Sequence, residues 1–351
     1  ILEKTGFTYE SGLDDTLAML EAAGVRVDRS AARIRFSREV VLEHVRKAPR
    51  RVGPYSRTGK DDLDHTQDRV YLGTGGAAIR IIDLETGEYR PTTLRDLYLL
   101  ARLVDKLDHI HFFLRPCIPT DIPEAAYDVN MFYACMKGTG KHVMSGVNNI
   151  EGFHKVLDLA STVAGGREKL IEKPCISIIT SFAISPLKLC TASTLIMQEA
   201  NRQRIPVALS CAPMAGSTAP ITMAANLAQI HAEQLAGIVI CQLTQPGAPV
   251  LYGGIPGRAN LHTMGYLGGA VECGMMNAAI HQMARHIGVP NYNSSALTDS
   301  KIPDPQAAWE KGMTTLLAAM GGSNFVHHAA GMLDSMVGVA YEQFVIDDEI
   351  T

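Results

Sequence analysis

The sequence predicts an α/β fold, a (β/α)8 barrel with a small N-terminal α+β region. Short apolar runs ending in Gly, Ser, Thr, Pro or Asn alternate with longer stretches of helical periodicity, and from residue 70 this alternation repeats eight times. The rival, an open doubly wound sheet, wants a phosphate-binding turn. Gly73-Thr74-Gly75-Gly76 lacks the G-x-G-x-x-G spacing, and no helix opens directly after it, so a dinucleotide site is rejected.

Two regions follow, 1–69 and 70–351. In the first, Asp14 to Ala23 reads as a helix closed by Gly24, V-R-V-D and A-R-I-R-F alternate as short half-exposed strands, and Ser37 caps a second helix bearing Val40, Val41 and Val45. Residues 51–69, with Gly, Pro, Ser and many charges, read as a connector. In the second, the strand runs are 70–76, 110–116, 142–148, 176–181, 207–213, 250–254, 290–295 and 324–331. Helices are expected near Leu94–Lys106, Ala125–Lys137, Ile150–Val163, Thr191–Arg204, Ile221–Leu243, Thr263–Ile287 and Pro303–Ala319, with an eighth from about Ser335 cut off by the chain end.

At 351 residues and 46% hydrophobic, the chain can bury a large core. A net charge of −4 with scattered Lys and Arg gives no basic stripe for nucleic acid, and no apolar run reaches membrane-spanning length. Seven cysteines sit singly in apolar segments without a C-x-x-C, the pattern of reduced, buried thiols in a cytoplasmic protein. Starting at Ile1 without Met and stopping inside a helical pattern, the chain reads as trimmed at both ends.

In a barrel of this class, chemistry gathers at the C-terminal ends of the strands. That places Tyr71, Arg115, Tyr252, Asn293 and the pair His327-His328 at the expected mouth, with Asp299, Ser300 and Lys301 on the loop after the seventh strand. Adjacent histidines on a strand point to opposite faces, so one of the pair faces inward, and strand parity alone leaves open which. The segment that holds the pair has no H-x-H, H-E-x-x-H or carboxylate cluster, so no protein-bound metal is expected. Lys301 reads either as a Schiff-base lysine or as a solvated loop cation, and Glu272 as a structural hydrogen-bonding group. Tyr71, Tyr252, Tyr266, Tyr292 and Phe182 are candidates for an aromatic cation box.

The segments G-T-G-G-A-A (73–78), K-H-V-M-S-G-V-N-N (141–149), S-F-A-I-S-P-L (181–187), P-G-A-P-V-L-Y-G-G (246–254), T-D-S-K-I-P-D-P-Q-A-A-W-E-K (298–311) and N-F-V-H-H-A-A-G-M-L-D-S (324–335) resemble the trimethylamine methyltransferase family. The resemblance runs across almost the whole chain. It implies a barrel that passes a methyl group from a methylated amine to the Co(I) corrinoid (cobalamin) of a separate small protein, in one-carbon metabolism. It also implies that archaeal trimethylamine enzymes carry pyrrolysine on this seventh loop, where the present chain has ordinary Asp299, Ser300 and Lys301. The likeness is then to the branch without pyrrolysine, whose members demethylate quaternary amines such as glycine betaine. On this reading Asp299, Lys301, His327 and His328 are the expected catalytic residues, and Tyr71, Arg115, Tyr252, Asn293 and Ser300 the expected substrate contacts. The expected partners are a corrinoid protein and a small quaternary amine, and homo-oligomeric assembly is expected.

Overall fold

The computed structural model describes residues 1–63 and 69–351. Of the segment 51–69 read as a connector, residues 64–68 lie outside the described residues.

All eight expected strands form: β1 (Tyr71–Leu72), β2 (Phe112–Leu114), β3 (His142–Ser145), β4 (Ile176–Thr180), β5 (Val207–Leu209), β6 (Val250–Gly253), β7 (Asn291–Ser294) and β8 (Phe325–His327). They make one 8-stranded sheet in which every pairing is parallel. A parallel bridge between Gly73 and Phe112 joins β1 to β2 and closes the barrel. Glycine is required there, because a Cβ on residue 73 would lie 2.3 Å from the Phe112 ring.

The outer helices are α1 (Leu94–Val104), α2 (Tyr127–Gly138), α3 (Ile150–Ala164), α4 (Thr191–Arg202), α5 (Met223–Thr244), α6 (Val271–Ile287), α7 (Pro305–Met320) and α8 (Tyr341–Ile350). Their ends carry local signals. Thr93 and Asp96 form a reciprocal capping box on α1, Asn149 and Asp304 cap α3 and α7, and Gly165 and Gly288 end α3 and α6 in the left-handed region. Two helices begin later than expected. Instead of a helix from Thr263, Gly257–Ala259 and Tyr266–Leu267 pair antiparallel, and α6 starts at Val271. The eighth does not start near Ser335, because Asp334, Ser335 and Met336 hold φ of 49°, 50° and 79°, which no right-handed helix accommodates. Gly338–Ala340 then adds a strand beside Arg80–Ile82 before α8 begins.

The N-terminal region is stitched into the barrel. Phe7–Tyr9 pairs with Arg33–Arg35 on one side and, in parallel, with Lys188–Leu189 from the loop after β4 on the other. Helices Asp14–Ala22 and Arg38–Lys47 form as expected, the second with the Val40 amide donating to Ser37 Oγ. Val52 and Leu63 pack into the cluster that fills the barrel interior, alongside Phe112, Leu114, Met144, Ala208, Leu251, Tyr292 and Phe325. Phe112 and Phe325 stack with ring centroids 3.5 Å apart across this core. No helix among the described residues is long and apolar enough to cross a membrane.

Candidate active site

Strand parity sorts the candidate residues. On β8, Phe325 belongs to the interior cluster and Val326 to a cluster with Leu72 and Ala318, so His327 returns to the interior. It sits one layer above Phe325, toward the C-terminal ends of the strands. Its ring packs 5.2 Å from the Tyr292 ring and 4.0 Å, nearly parallel, from the His328 ring. Gly75 makes the remaining room: a Cβ there would lie 3.2 Å from His327 Nδ1.

His327 is 1% exposed, and neither of its ring nitrogens has a hydrogen-bond partner among the described residues. Burial, with His328 adding to it, pushes its pKa well below the ordinary 6.5, so the imidazole is neutral. His328 is also neutral, its pKa lowered to about 3 by burial and by the nearby Lys311 ammonium, but it is partnered: Nδ1 and Ser294 Oγ share a hydrogen bond of 2.8 Å. The Tyr292 hydroxyl lies near Ser210 but has no partner within hydrogen-bonding geometry among the described residues. The upper barrel thus holds neutral polar atoms with unused hydrogen-bonding capacity around one aromatic face. Such groups are rare in a native core and mark a place where a ligand or solvent completes the network.

At the opposite end of the barrel the buried histidine is satisfied at both ring nitrogens. His142 Nδ1 donates to the Tyr55 carbonyl at 3.0 Å and its Nε2 accepts from Ser177 Oγ at 2.7 Å, and burial lowers its pKa to about 4.

Tyr71, Tyr252, Asn293 and His327 do not converge on one mouth. Tyr71 opens β1, so it lies at the N-terminal end of the barrel, its ring edge-on to His111 at 5.4 Å in a cavity with Arg69, Ile110 and Lys141. Tyr252 and Asn293 have the outward parity. The Tyr252 hydroxyl bonds to His231 Nδ1 on α5 at 2.7 Å, and Asn293 Nδ2 donates to the Asn277 carbonyl on α6 and to Ser323 Oγ, each at 2.6 Å. Arg115 likewise turns outward at the end of β2, with Nη1 donating to the Tyr127 hydroxyl at 3.4 Å, while its Nε is buried without a partner among the described residues.

The seventh loop lies on the C-terminal face as expected, but its residues build the loop instead of facing a pocket. Asp299 Oδ1 accepts from the Gly268 amide at 2.9 Å and from Ser335 Oγ at 2.5 Å, clasping the loops after β6, β7 and β8 together. Ser300 shapes a turn: its amide donates to Thr298 Oγ1 and its hydroxyl to the Ile302 carbonyl. The Lys301 side chain is exposed, and its carbonyl accepts from the Tyr89 hydroxyl. An exposed ammonium lacks the dry setting that activates a Schiff-base lysine, so that reading loses its support. Glu272 bonds Arg258 at the edge of a cavity of about 360 Å³ also lined by Ile221, Leu261 and Met276.

Tyr292, named above as a candidate for the aromatic box but not among the expected substrate contacts, is the residue of β7 that faces inward. Its signal was available, since it alternates with Asn291 and Asn293 on one strand, and the choice of Asn293 placed the wrong parity inward. Lys311 gave no signal: a lysine within an amphipathic helix reads as solvated, whereas this one is fully buried. Among the described residues no group of three or more His, Cys, Asp or Glu is placed to hold a metal ion.

A closed parallel barrel with partnerless neutral groups at the C-terminal end of its interior is the build of a barrel enzyme. The chain belongs to the trimethylamine methyltransferase (MTTB) family, whose profile matches residues 1–351, and it is an enzyme of the methyltransferase class. It is 35% identical over 350 residues to the trimethylamine methyltransferase MttB of Desulfitobacterium hafniense (strain DSM 10664 / DCB-2), covering 100% of this chain and 70% of that protein. It is 31% identical over 355 residues to the glycine betaine methyltransferase of D. hafniense (strain Y51), covering 100% and 72%. Among solved structures, a Coxiella burnetii dihydropteroate synthase superposes with a TM-score of 0.53 at 11% identity over 85% of this chain and 96% of that one, a likeness of fold alone.

Proposed function

We propose that this protein transfers a methyl group from a quaternary amine of the glycine betaine type to the Co(I) corrinoid of a partner protein. The observation that carries the reading is the buried, neutral wall formed by His327 and the face of Tyr292 at the top of the barrel interior. A quaternary ammonium brings a fixed charge and departs as a neutral tertiary amine. The two electrons of the new carbon–cobalt bond come from the reduced metal, and the carbon–nitrogen pair leaves with nitrogen. No proton is needed, so a site of uncharged groups can host the step. An aromatic face attracts the trimethylammonium head, and a buried wall keeps water from the reduced acceptor. His327 is 1% exposed, so the head reaches it only through movement of the loops on the C-terminal face.

The 31% identity to a glycine betaine methyltransferase supports the donor, and the seventh loop holds only standard amino acids where pyrrolysine would be expected in trimethylamine enzymes. The 35% identity to a trimethylamine methyltransferase favours a second reading, trimethylamine as donor. One experiment separates them: the purified protein, Co(I) cobalamin and each amine in turn, followed by the visible change to methyl-Co(III). Glycine betaine should turn over and trimethylamine should not. Comparable rates for the two would overturn the assignment.

A further inference from the structure

Two backbone turns carry the inner wall of the site, and both are strained. After β7 the chain passes through Ala296 at φ 51°, and after β8 through His328 at φ 64° and Gly331 at φ 90°. Such conformations persist only where surrounding structure holds them. One buried ion pair reaches both turns. Lys311 of α7 and Asp347 of α8 are 0% and 1% exposed, with Nζ 2.9 Å from Oδ2. The same ammonium donates to the Ala296 carbonyl at 2.8 Å, and the same carboxylate oxygen accepts from the Gly331 amide at 2.7 Å. Only glycine fits at this place, since a Cβ there would meet the Phe344 ring of α8 at 2.1 Å. The other carboxylate oxygen accepts from Gln343 Nε2 at 2.8 Å, which fixes its orientation.

We propose that Lys311 and Asp347 are positioning residues for the methyl-transfer site, a buried clamp that sets the turns after β7 and β8 and through them the orientation of His327. The pair makes no contact with His327 itself. It acts on the backbone just beyond the Ser294–His328 bond, which lies beside the backbone bond from the Ser295 amide to the His327 carbonyl. Replacing a buried ion pair by well-packed apolar side chains is often neutral for stability, so a fold with no other need of the clamp would not depend on it.

The test rests on the methyl-transfer reading for one of its two measurements and is independent of it for the other. The paired substitution Lys311→Met/Asp347→Leu removes both charges and keeps the volume. Melting temperature is expected to fall, since the Ala296 carbonyl and the Gly331 amide lose their partners, while the circular dichroism of the folded state is unchanged. Turnover should fall at least about 10-fold with KM for the amine within about threefold, the pattern of a displaced catalytic wall. Independently of activity, the His327 imidazole in ¹⁵N-histidine-labelled protein should change from one neutral ring signal to several or to exchange-broadened ones. If the pair variant does not fold, Asp347→Asn, which keeps an acceptor for Lys311 and Gly331, should retain the single ring signal, while Lys311→Met alone loses it. A well-folded pair variant with wild-type turnover and an unchanged His327 signal overturns the inference. If wild-type protein transfers no methyl group, the functional reading fails, and the ring signal alone decides the clamp.

Discussion

His327 is held neutral by burial and by a second imidazole, and its role follows from where its free nitrogens face. His327→Ala should lower methyl transfer about 100-fold or more while leaving the barrel folded, since the loss falls on the geometry of the reacting groups. Circular dichroism and the cobalamin assay read the two effects separately. Tyr252→Phe should do the reverse. It strips a buried hydrogen bond to His231 outside the barrel, costing about 1–3 kcal/mol in urea unfolding and leaving turnover unchanged. Lys301→Ala, at an exposed position, should change turnover by less than about twofold and stability by under about 0.5 kcal/mol.

At the scale of elements, two contacts decide whether the strands and loops hold their places. Gly73 lets β1 lie against β2, and Gly73→Ala would drive a methyl group into the Phe112 ring that stacks on Phe325. The expected cost is about 1–3 kcal/mol, measurable as a lower urea midpoint with an unchanged slope. The Asp299 clasp joins three loops through the Gly268 amide and Ser335 hydroxyl. Asp299→Ala should raise KM for the amine, because the loops then close less often over the donor. Unchanged KM and kcat would show that the clasp takes no part in closure.

For the whole molecule, the buried histidines make stability depend on pH. His142, His327 and His328 are neutral in the fold, with pKa about 4, well below 6.5 and about 3, against an unfolded value near 6.5. Below pH 6.5 the unfolded chain binds protons that the native chain does not, so stability falls as pH falls. Each histidine contributes about 1.4 kcal/mol per pH unit down to its folded pKa. Raised carboxyls such as Glu233 and Asp347 work in the opposite sense at the acid end, where the native state holds the extra proton. Urea unfolding at pH 7.5, 6 and 5 should show a flat region followed by a steep loss, and equal stability at pH 7.5 and 5 would refute the neutral assignment.

Periodicity in the sequence determined the barrel. Eight apolar runs became eight strands, since burying a two-sided strand under a helix leaves few other arrangements for this order of elements. The caps at Ser37, Thr93, Asn149 and Asp304 act within one turn of chain, and their residues carry local helix-start signals. The histidine pair at the end of β8 was legible for the same reason, as a place on a strand. What the sequence left open was every question of direction. Whether His327 or His328 faces inward, and whether Tyr292 or Asn293 does, depends on parity, which a one-residue uncertainty in register reverses. The helix expected at Thr263 became a strand pair through long-range pairing that no local window contains. Lys311 became a buried clamp because α8 brings Asp347 beside it from 36 residues away. Contacts of that kind are made by packing between distant elements, so only the tertiary structure decided them.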